Sequence, residues 1–287
     1  MNAASIVTRE FFRPWGSLMD FDSASRDAFW TFGFAVLRQF FDPQPLATEI
    51  DRVMDDALDA DVSRTGDIRF QYVPMMTAET PISLQLLDRV EAVAASVFGA
   101  SVLPTRAKGV RYSGNTPWHI DSALPLASVG FLAYFETLGA DNGALRVLPG
   151  SHHTDFRDAL RRRGVDGSSD LTLPAHVIAT EPGDLILLHE HVFHSSHGGG
   201  TRRQWRVDFL SAPASVEAEA LAKSYFAGIY PPDWDGGYDV DRYPSYGTAW
   251  RDSNRPSAAR LEALGVYALA ATQEAFTRDS ALRRRRK

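Results

Sequence analysis

Apolar and polar positions follow two different periods along this chain, and the change of period divides it. Over residues 23–60 the pattern predicts helix, strand, helix. Ser23 or Ser25 can cap a first helix carrying Phe29 and Trp30, Gly33 ends it, and Phe34-Ala-Val-Leu37 reads as a short strand. Asp42 followed by Pro43 is an N-cap and first-turn pair. The helix it starts sets Leu46, Ile50, Val53, Met54 and Leu58 on one face. Another amphipathic helix runs through Leu86, Leu87, Val90, Val93 and Val97 and stops at Gly99. From about 102 to 212 the texture becomes strands and turns. Val102–Tyr112, Val129–Phe135, Leu145–Leu148, His176–Ala179, Leu185–His189 and Trp205–Leu210 are strand candidates, punctuated by Asp141-Asn-Gly143, Pro149-Gly150 and Pro182-Gly-Asp184. A charged helical segment, Asp155–Gly167, lies between them. After Pro213 comes a helical stretch, then Tyr230–Trp250, too irregular for one element yet too aromatic for disorder. It is either a lid over the strand-rich region or packing against its outside. Leu261–Phe276 reads as a terminal helix. The whole is expected to be one domain over 1–287: a helical entry at 23–100, a β core at 102–212, and C-terminal helices with a possible lid at 213–287.

Composition changes this picture little, but it removes some chemistry. The 287 residues are 44% hydrophobic and 23% charged, as in ordinary globular proteins. A formal net charge of −6 gives no reason to expect nucleic acid as partner. Zero cysteines exclude disulfides, thiolate metal sites and cysteine nucleophiles together. The first ten residues lack the pattern of a secretory signal, and no apolar run approaches the ~18 residues of a membrane span. A cytoplasmic protein without membrane contact is expected, its oligomeric state undetermined. The closing run Arg283-Arg-Arg-Arg-Lys287 reads as a solvated tail.

The informative chemistry is Trp118-His-Ile-Asp-Ser122, followed much later by His189-Glu-His191-Val-Phe-His194-Ser-Ser196. An H-x-D pair and a distant histidine supply the two imidazoles and one carboxylate of a facial-triad Fe(II) site. Alternate residues of a strand point the same way, so His119 and Asp121 can reach one metal together. Among the crowded histidines, His189, His191 and His194 are all candidates for the third ligand.

These motifs, in their order, resemble the phytanoyl-CoA dioxygenase-like family of Fe(II)/2-oxoglutarate oxygenases. The likeness runs from Phe32-Gly-Phe-Ala-Val-Leu37 through Trp118-His-Ile-Asp121 and Asn142-Gly-Ala-Leu-Arg-Val-Leu-Pro-Gly-Ser-His152 to Pro182-Gly-Asp-Leu-Ile-Leu-Leu-His189 and His194-Ser-Ser196, covering roughly residues 23–212. It implies an α+β fold with a mainly β core, a double-stranded β-helix flanked by N- and C-terminal helices. It also implies Fe(II), 2-oxoglutarate and O2 as cofactors, with ascorbate as a stimulant. The family's His-x-Ser unit selects His194 as third ligand beside His119 and Asp121. Arg206 is expected to hold the distal carboxylate of 2-oxoglutarate, with Arg203 as alternative, while Arg202 and Arg203 fall in the preceding hairpin loop. Ser196 would add a hydroxyl there. Tyr134 would stand against 2-oxoglutarate or be a core tyrosine. Lys108 and Arg111 would bind 2-oxoglutarate or an anionic substrate, or face solvent, and Gln71 and Trp118 would line the pocket. Because Asp121 keeps the carboxylate that the family's halogenating members lack, the resemblance implies hydroxylation foremost, or desaturation or another C–H oxidation, of a small-molecule metabolite or natural-product intermediate, with succinate and CO2 released. A non-catalytic ligand-binding barrel and another cupin-like metal enzyme remain as alternatives.

Overall fold

The computed structural model describes residues 21–58, 63–65 and 68–284; the first twenty residues and the last three of the basic run lie outside them. Helix α1, Ser23–Phe32, is capped by Asp22, whose side chain accepts from the Ser25 amide at 2.7 Å. The serines expected as caps are inside the first turn instead. Gly33 ends the helix at φ 83°, and β1, Phe34–Leu37, follows. Helix α2, Pro43–Ala57, begins at Asp42 as expected and buries Leu46, Ile50, Val53 and Met54. Two strands, β2 (Ser63–Thr65) and β3 (Ile68–Pro74), come next. Neither is among the expected strands, although Ile68, Phe70 and Tyr72 alternate with Arg69 and Gln71 in the sequence. Helix α3, Pro81–Phe98, ends at Gly99 with φ 63°.

The expected strand 102–112 is two strands, β4 (Val102–Pro104) and β5 (Lys108–Ser113), broken around a buried Arg106. There follow β6 (Thr116–His119), β7 (Ser128–Tyr134), β8 (Leu145–Val147), helix α4 (Thr154–Arg162), β9 (His176–Ile178), β10 (Leu185–His189), β11 (His194–Ser196) and β12 (Arg202–Ser211). Strand β12 starts three residues earlier than expected, so Arg202 and Arg203 are strand residues and not loop. Gly198 turns the chain at φ 76° on its way from β11 to β12, which begins with Arg202 opposite Tyr112 of β5.

These strands form two antiparallel sheets. One runs β1-β10-β7-β12-β5-β3-β2, with β4 also on β12; the other runs β6-β11-β8-β9. From β5 onward the chain passes repeatedly between them, and residues of both line one cavity. Helices α2 and α3 cover the first sheet, burying a common core with Val110, Phe131, Trp205 and Phe209. After it come α5 (Val216–Ile229), α6 (Thr248–Arg251), α7 (Pro256–Ala263) and α8 (Val266–Arg284), the last two separated at Gly265, where one helix was expected. The aromatic segment 230–250 joins this core: Tyr230, Tyr238, Tyr243, Tyr246 and Trp250 are buried, and Trp234 stacks on Tyr72 at 5.0 Å. None of its residues lines the cavity between the sheets. Among the described residues, no helix is long and apolar enough to cross a membrane.

Candidate metal centre and its cavity

Strands β6 and β11 are neighbours, and their register sets His119 opposite His194 and Thr116 opposite Ser196. The two imidazoles lie 4.1 Å apart between centroids. Asp121 stands just beyond the end of β6, in a bend, and its Oδ1 is 3.4 Å from His119 Nε2 and 3.6 Å from His194 Nε2. Among the described residues this is the one group of three His, Asp or Glu side chains that could hold a metal ion.

The two rings are oriented for that purpose. Nδ1 of His119 bonds the Pro117 carbonyl and Nδ1 of His194 the Val192 carbonyl, each at 2.9 Å. A carbonyl only accepts, so each Nδ1 carries a proton, and each Nε2, when it carries none, is free to bind a metal. Burial, followed by the neighbouring His119, pushes His194 down to about 4, so its ring is neutral at ordinary pH. For His119, burial works against the proton but hydrogen bonding and charge from Asp121 prevail and raise it. Asp121 is lowered well below the usual range: burial opposes, and Arg206 with the two histidines overcomes it.

Arg206 faces this carboxylate from β12. Its Nη2 donates to Asp121 Oδ2 at 2.8 Å and to Glu190 Oε1 at 3.3 Å, and its Nε to Asp208 Oδ1 at 2.8 Å. Glu190 also accepts from Ser128 Oγ, and from the Tyr225 hydroxyl at 2.8 Å. Burial, and then the nearby Asp208, hold the Glu190 carboxyl well above its ordinary range.

A cavity of about 410 Å³ opens from the His–Asp–His group between the sheets. Its far part is lined by Thr116, Ser196, Tyr112, Tyr134, Leu145 and Gln204. Behind Ser196 lies Arg202, only 1% exposed. Its Nη2 donates to the Gly114 carbonyl at 3.1 Å and to Ser196 Oγ at 3.3 Å, and its guanidinium covers the Tyr112 ring at 4.4 Å. Its buried Nε and Nη1 have no hydrogen-bond partner among the described residues. Gly199 makes room for it: a Cβ there would fall 1.0 Å from Arg202 Nη1. The Tyr112 and Tyr134 hydroxyls meet at 3.0 Å.

The expected residues thus divide. His119, Asp121, His194, Ser196, Tyr134 and Arg206 line the cavity; Lys108, Arg111, Gln71 and Trp118 do not. Lys108 sits over the Tyr72 ring at 5.7 Å, and burial, helped by Arg206 and opposed by Asp208, brings its ammonium down to about 8. Arg111 turns outward to Asp51 at 3.5 Å, with Gln71 opposite it in register. Trp118 is fully buried and donates to the Asp170 carbonyl at 2.8 Å. Arg203 also turns outward, to Asp51 at 2.7 Å and Glu136 at 2.9 Å. His189 packs between His152 and His191, away from Asp121. Sequence reasoning set Arg202 aside as a loop residue and missed Gln204, Glu190 and Tyr225. Arg202 and Gln204 carried a signal: with Arg206 and Asp208 they are an unbroken polar row alternating with Trp205, Val207 and Phe209.

Comparison with known proteins places the chain in a family. The phytanoyl-CoA dioxygenase family model matches residues 29–206. Dioxygenase FUM3 of Gibberella moniliformis is 30% identical over 87 residues, covering 30% of this chain and 26% of its own. Dioxygenase FrzG of Cladobotryum sp. is 32% identical over 112 residues, covering 39% of this chain and 32% of its own. The matched stretches therefore span about a quarter to a third of those relatives. Among solved structures, HygX from Streptomyces hygroscopicus with nickel and 2-oxoglutarate bound superposes with TM-score 0.52 at 20% identity, over 64% of this chain and 84% of that one. EvdO2 from Micromonospora carbonacea does so with TM-score 0.52 at 18% identity, over 71% of this chain and 96% of that one.

Proposed function

The chain belongs to the phytanoyl-CoA dioxygenase family of Fe(II)/2-oxoglutarate-dependent oxygenases, and on that premise we propose that it oxidises, by hydroxylation, a C–H bond of a small-molecule substrate. The observation that carries this reading is the convergence of Asp121 Oδ1 on two Nε2 atoms, at 3.4 and 3.6 Å, with both Nδ1 atoms committed to carbonyls. Two neutral imidazoles and one carboxylate oxygen fit Fe(II), and as a facial set they leave room for a chelating co-substrate and O2. We read the sheets as the two halves of a double-stranded β-helix. The orders β10-β7-β12-β5 and β6-β11-β8-β9, with the chain crossing between them, support this.

When bound, iron with 2-oxoglutarate and O2 supplies the oxidising power, and succinate and CO2 are released. The protein's own part is to bind and orient. We assign the distal carboxylate of 2-oxoglutarate to Arg202 with Ser196, in place of the expected Arg206. Arg206 already serves three carboxylates, whereas Arg202 is a desolvated cation with two unpartnered donors beside a cavity-lining hydroxyl. The Tyr112–Tyr134 pair beside it gives further hydroxyls. The substrate class is supported by a neighbour: HygX has been solved with hygromycin B bound.

The test is an anaerobic titration of the metal-free protein with Fe(II) and 2-oxoglutarate, read by the visible band of the chelate. The wild type is expected to show the band and His194→Ala to lack it. Arg202→Ala should raise the 2-oxoglutarate Kd roughly 10–100-fold, the loss of one or two charge-assisted hydrogen bonds, with iron binding kept. No band in folded, iron-loaded protein would sink the oxygenase reading. An unchanged 2-oxoglutarate Kd in Arg202→Ala would sink that residue's assignment alone.

A further inference from the structure

We propose that helix α5 is a positioning element of the metal centre: Tyr225, acting through Glu190 and Arg206, fixes how Asp121 presents its carboxylate. This rests on the reading that His119, Asp121 and His194 hold a divalent metal.

Asp121 needs such help. It lies past the end of β6, so the strand does not set its side-chain direction. Two contacts do. Its amide donates to the Glu190 carbonyl at 2.9 Å, and its Oδ2 accepts from Arg206 Nη2 at 2.8 Å. Only Oδ1 is left facing the imidazoles. A carboxylate held in this way binds a metal through one oxygen. Released, it could swing to give both oxygens and take a coordination position that a chelating co-substrate needs.

Arg206 can do this only if it is itself held. Asp208 takes its Nε, while Glu190 shares its Nη2. The Glu190 side chain is 3% exposed and that of Asp208 2%. Two carboxyls buried this deeply beside one guanidinium repel each other, so Glu190 needs donors of its own. Ser128 of β7 is one, and Tyr225 of α5 is the other, at 2.8 Å. Tyr225 is 4% exposed, where phenylalanine would bury the same ring without a hydroxyl to desolvate. The hydroxyl is therefore explained by its partner. Helix α5, Val216–Ile229, lies beyond residues 29–206, so the link comes from outside the part of the chain that the family model matches.

The probe is Co(II), titrated into the metal-free full-length chain and followed by its visible absorption. Tyr225→Phe should raise the Co(II) Kd about three- to tenfold and Glu190→Gln about tenfold, at the lower end of what outer contacts to a ligand are worth. The thermal midpoint of the metal-free protein should stay within a few degrees. In an Asp121→Ala background Tyr225→Phe should weaken Co(II) binding no further, because its effect runs through that carboxylate. If Tyr225→Phe does not fold, Ser128→Ala removes the other donor to Glu190 and carries the same expectation. Unchanged affinity in the folded variants, or equal weakening with and without Asp121, would overturn the proposal. A wild type that binds no Co(II) would overturn the metal reading itself, and this proposal with it.

Discussion

His189 and His152 show what a single buried ring does to the whole fold's response to acid. His189 packs between His152 at 4.9 Å and His191 at 5.0 Å, with Trp30 against its edge. Burial, then His152, pushes His189 down to about 2, and burial pushes His152 down to about 4. In the unfolded chain both rings titrate near 6.5. Below that pH the unfolded state binds protons that the native state refuses, so stability falls as pH drops, by up to ~1.4 kcal/mol per unit for each ring. His194, also pushed down to about 4, adds to this, whereas His119 and the Glu190 carboxyl, both raised, work in the opposite sense and offset part of it. Between pH 7 and pH 5 the unfolding free energy should drop by on the order of 3 kcal/mol, read as a shift of the urea midpoint at constant m. His152→Asn should make that slope shallower by one ring's share; a slope equal to that of the wild type would show that His152 protonates in the native state. At this scale the grouping of His119, Asp121 and His194 was legible, because H-x-D and a distant histidine carry their chemistry in residue type alone. The place of Arg202 was not, because it depends on which residue opens β12, and a shift of three residues turned it from strand to loop.

At the scale of elements, local signals told the truth where the chain itself supplies the cap. Asp42 with Pro43, Gly33 and Gly99 mark helix ends in the sequence and in the structure alike. Helix α3 is different. Thr80 at its N-cap makes no side-chain capping bond, and Glu49 of α2 does the work instead, accepting from the Ile82 amide at 3.0 Å and the Ser83 amide at 2.9 Å. No sequence pattern shows a cap delivered by another helix. Burial raises the Glu49 carboxyl even as those two amides lower it. Glu49→Ala should cost about 1–2 kcal/mol, with two buried amides left unpaired, and Glu49→Gln less, since one acceptor remains. Denaturant midpoints of the two variants check the order; equal midpoints for Ala and wild type would mean that water replaces the carboxylate. The break between β4 and β5 was hidden for a similar reason. What holds Arg106 at that break comes from Tyr72, Tyr230 and Gln273, far away in sequence.

That arginine decides how the molecule behaves as a whole. Arg106 donates to the Tyr72 hydroxyl at 2.5 Å and to Gln273 Oε1 at 3.2 Å, and its guanidinium lies 4.5 Å from the Tyr230 ring. It thus ties the first sheet to the segment after α5 and to the last helix. Around it Trp234 stacks on Tyr72 and Tyr238 lies tilted against the same ring, and the continuous core includes Val53 of α2, Leu87 of α3 and Phe209 of β12. The buried residues of the aromatic segment 230–250 belong to that same core. A 287-residue chain would often melt in steps, so this arrangement makes a specific demand. Calorimetry should show one transition, with calorimetric and van't Hoff enthalpies agreeing. Arg106→Met, which removes the donor to the Tyr72 hydroxyl and to Gln273 Oε1, should lower that transition by several degrees without splitting it, consistent with a loss of about 2–3 kcal/mol. Two resolved transitions in the wild type would mean that the helices after β12 form a separate domain. A split in the variant alone would mean that Arg106 is what makes them one.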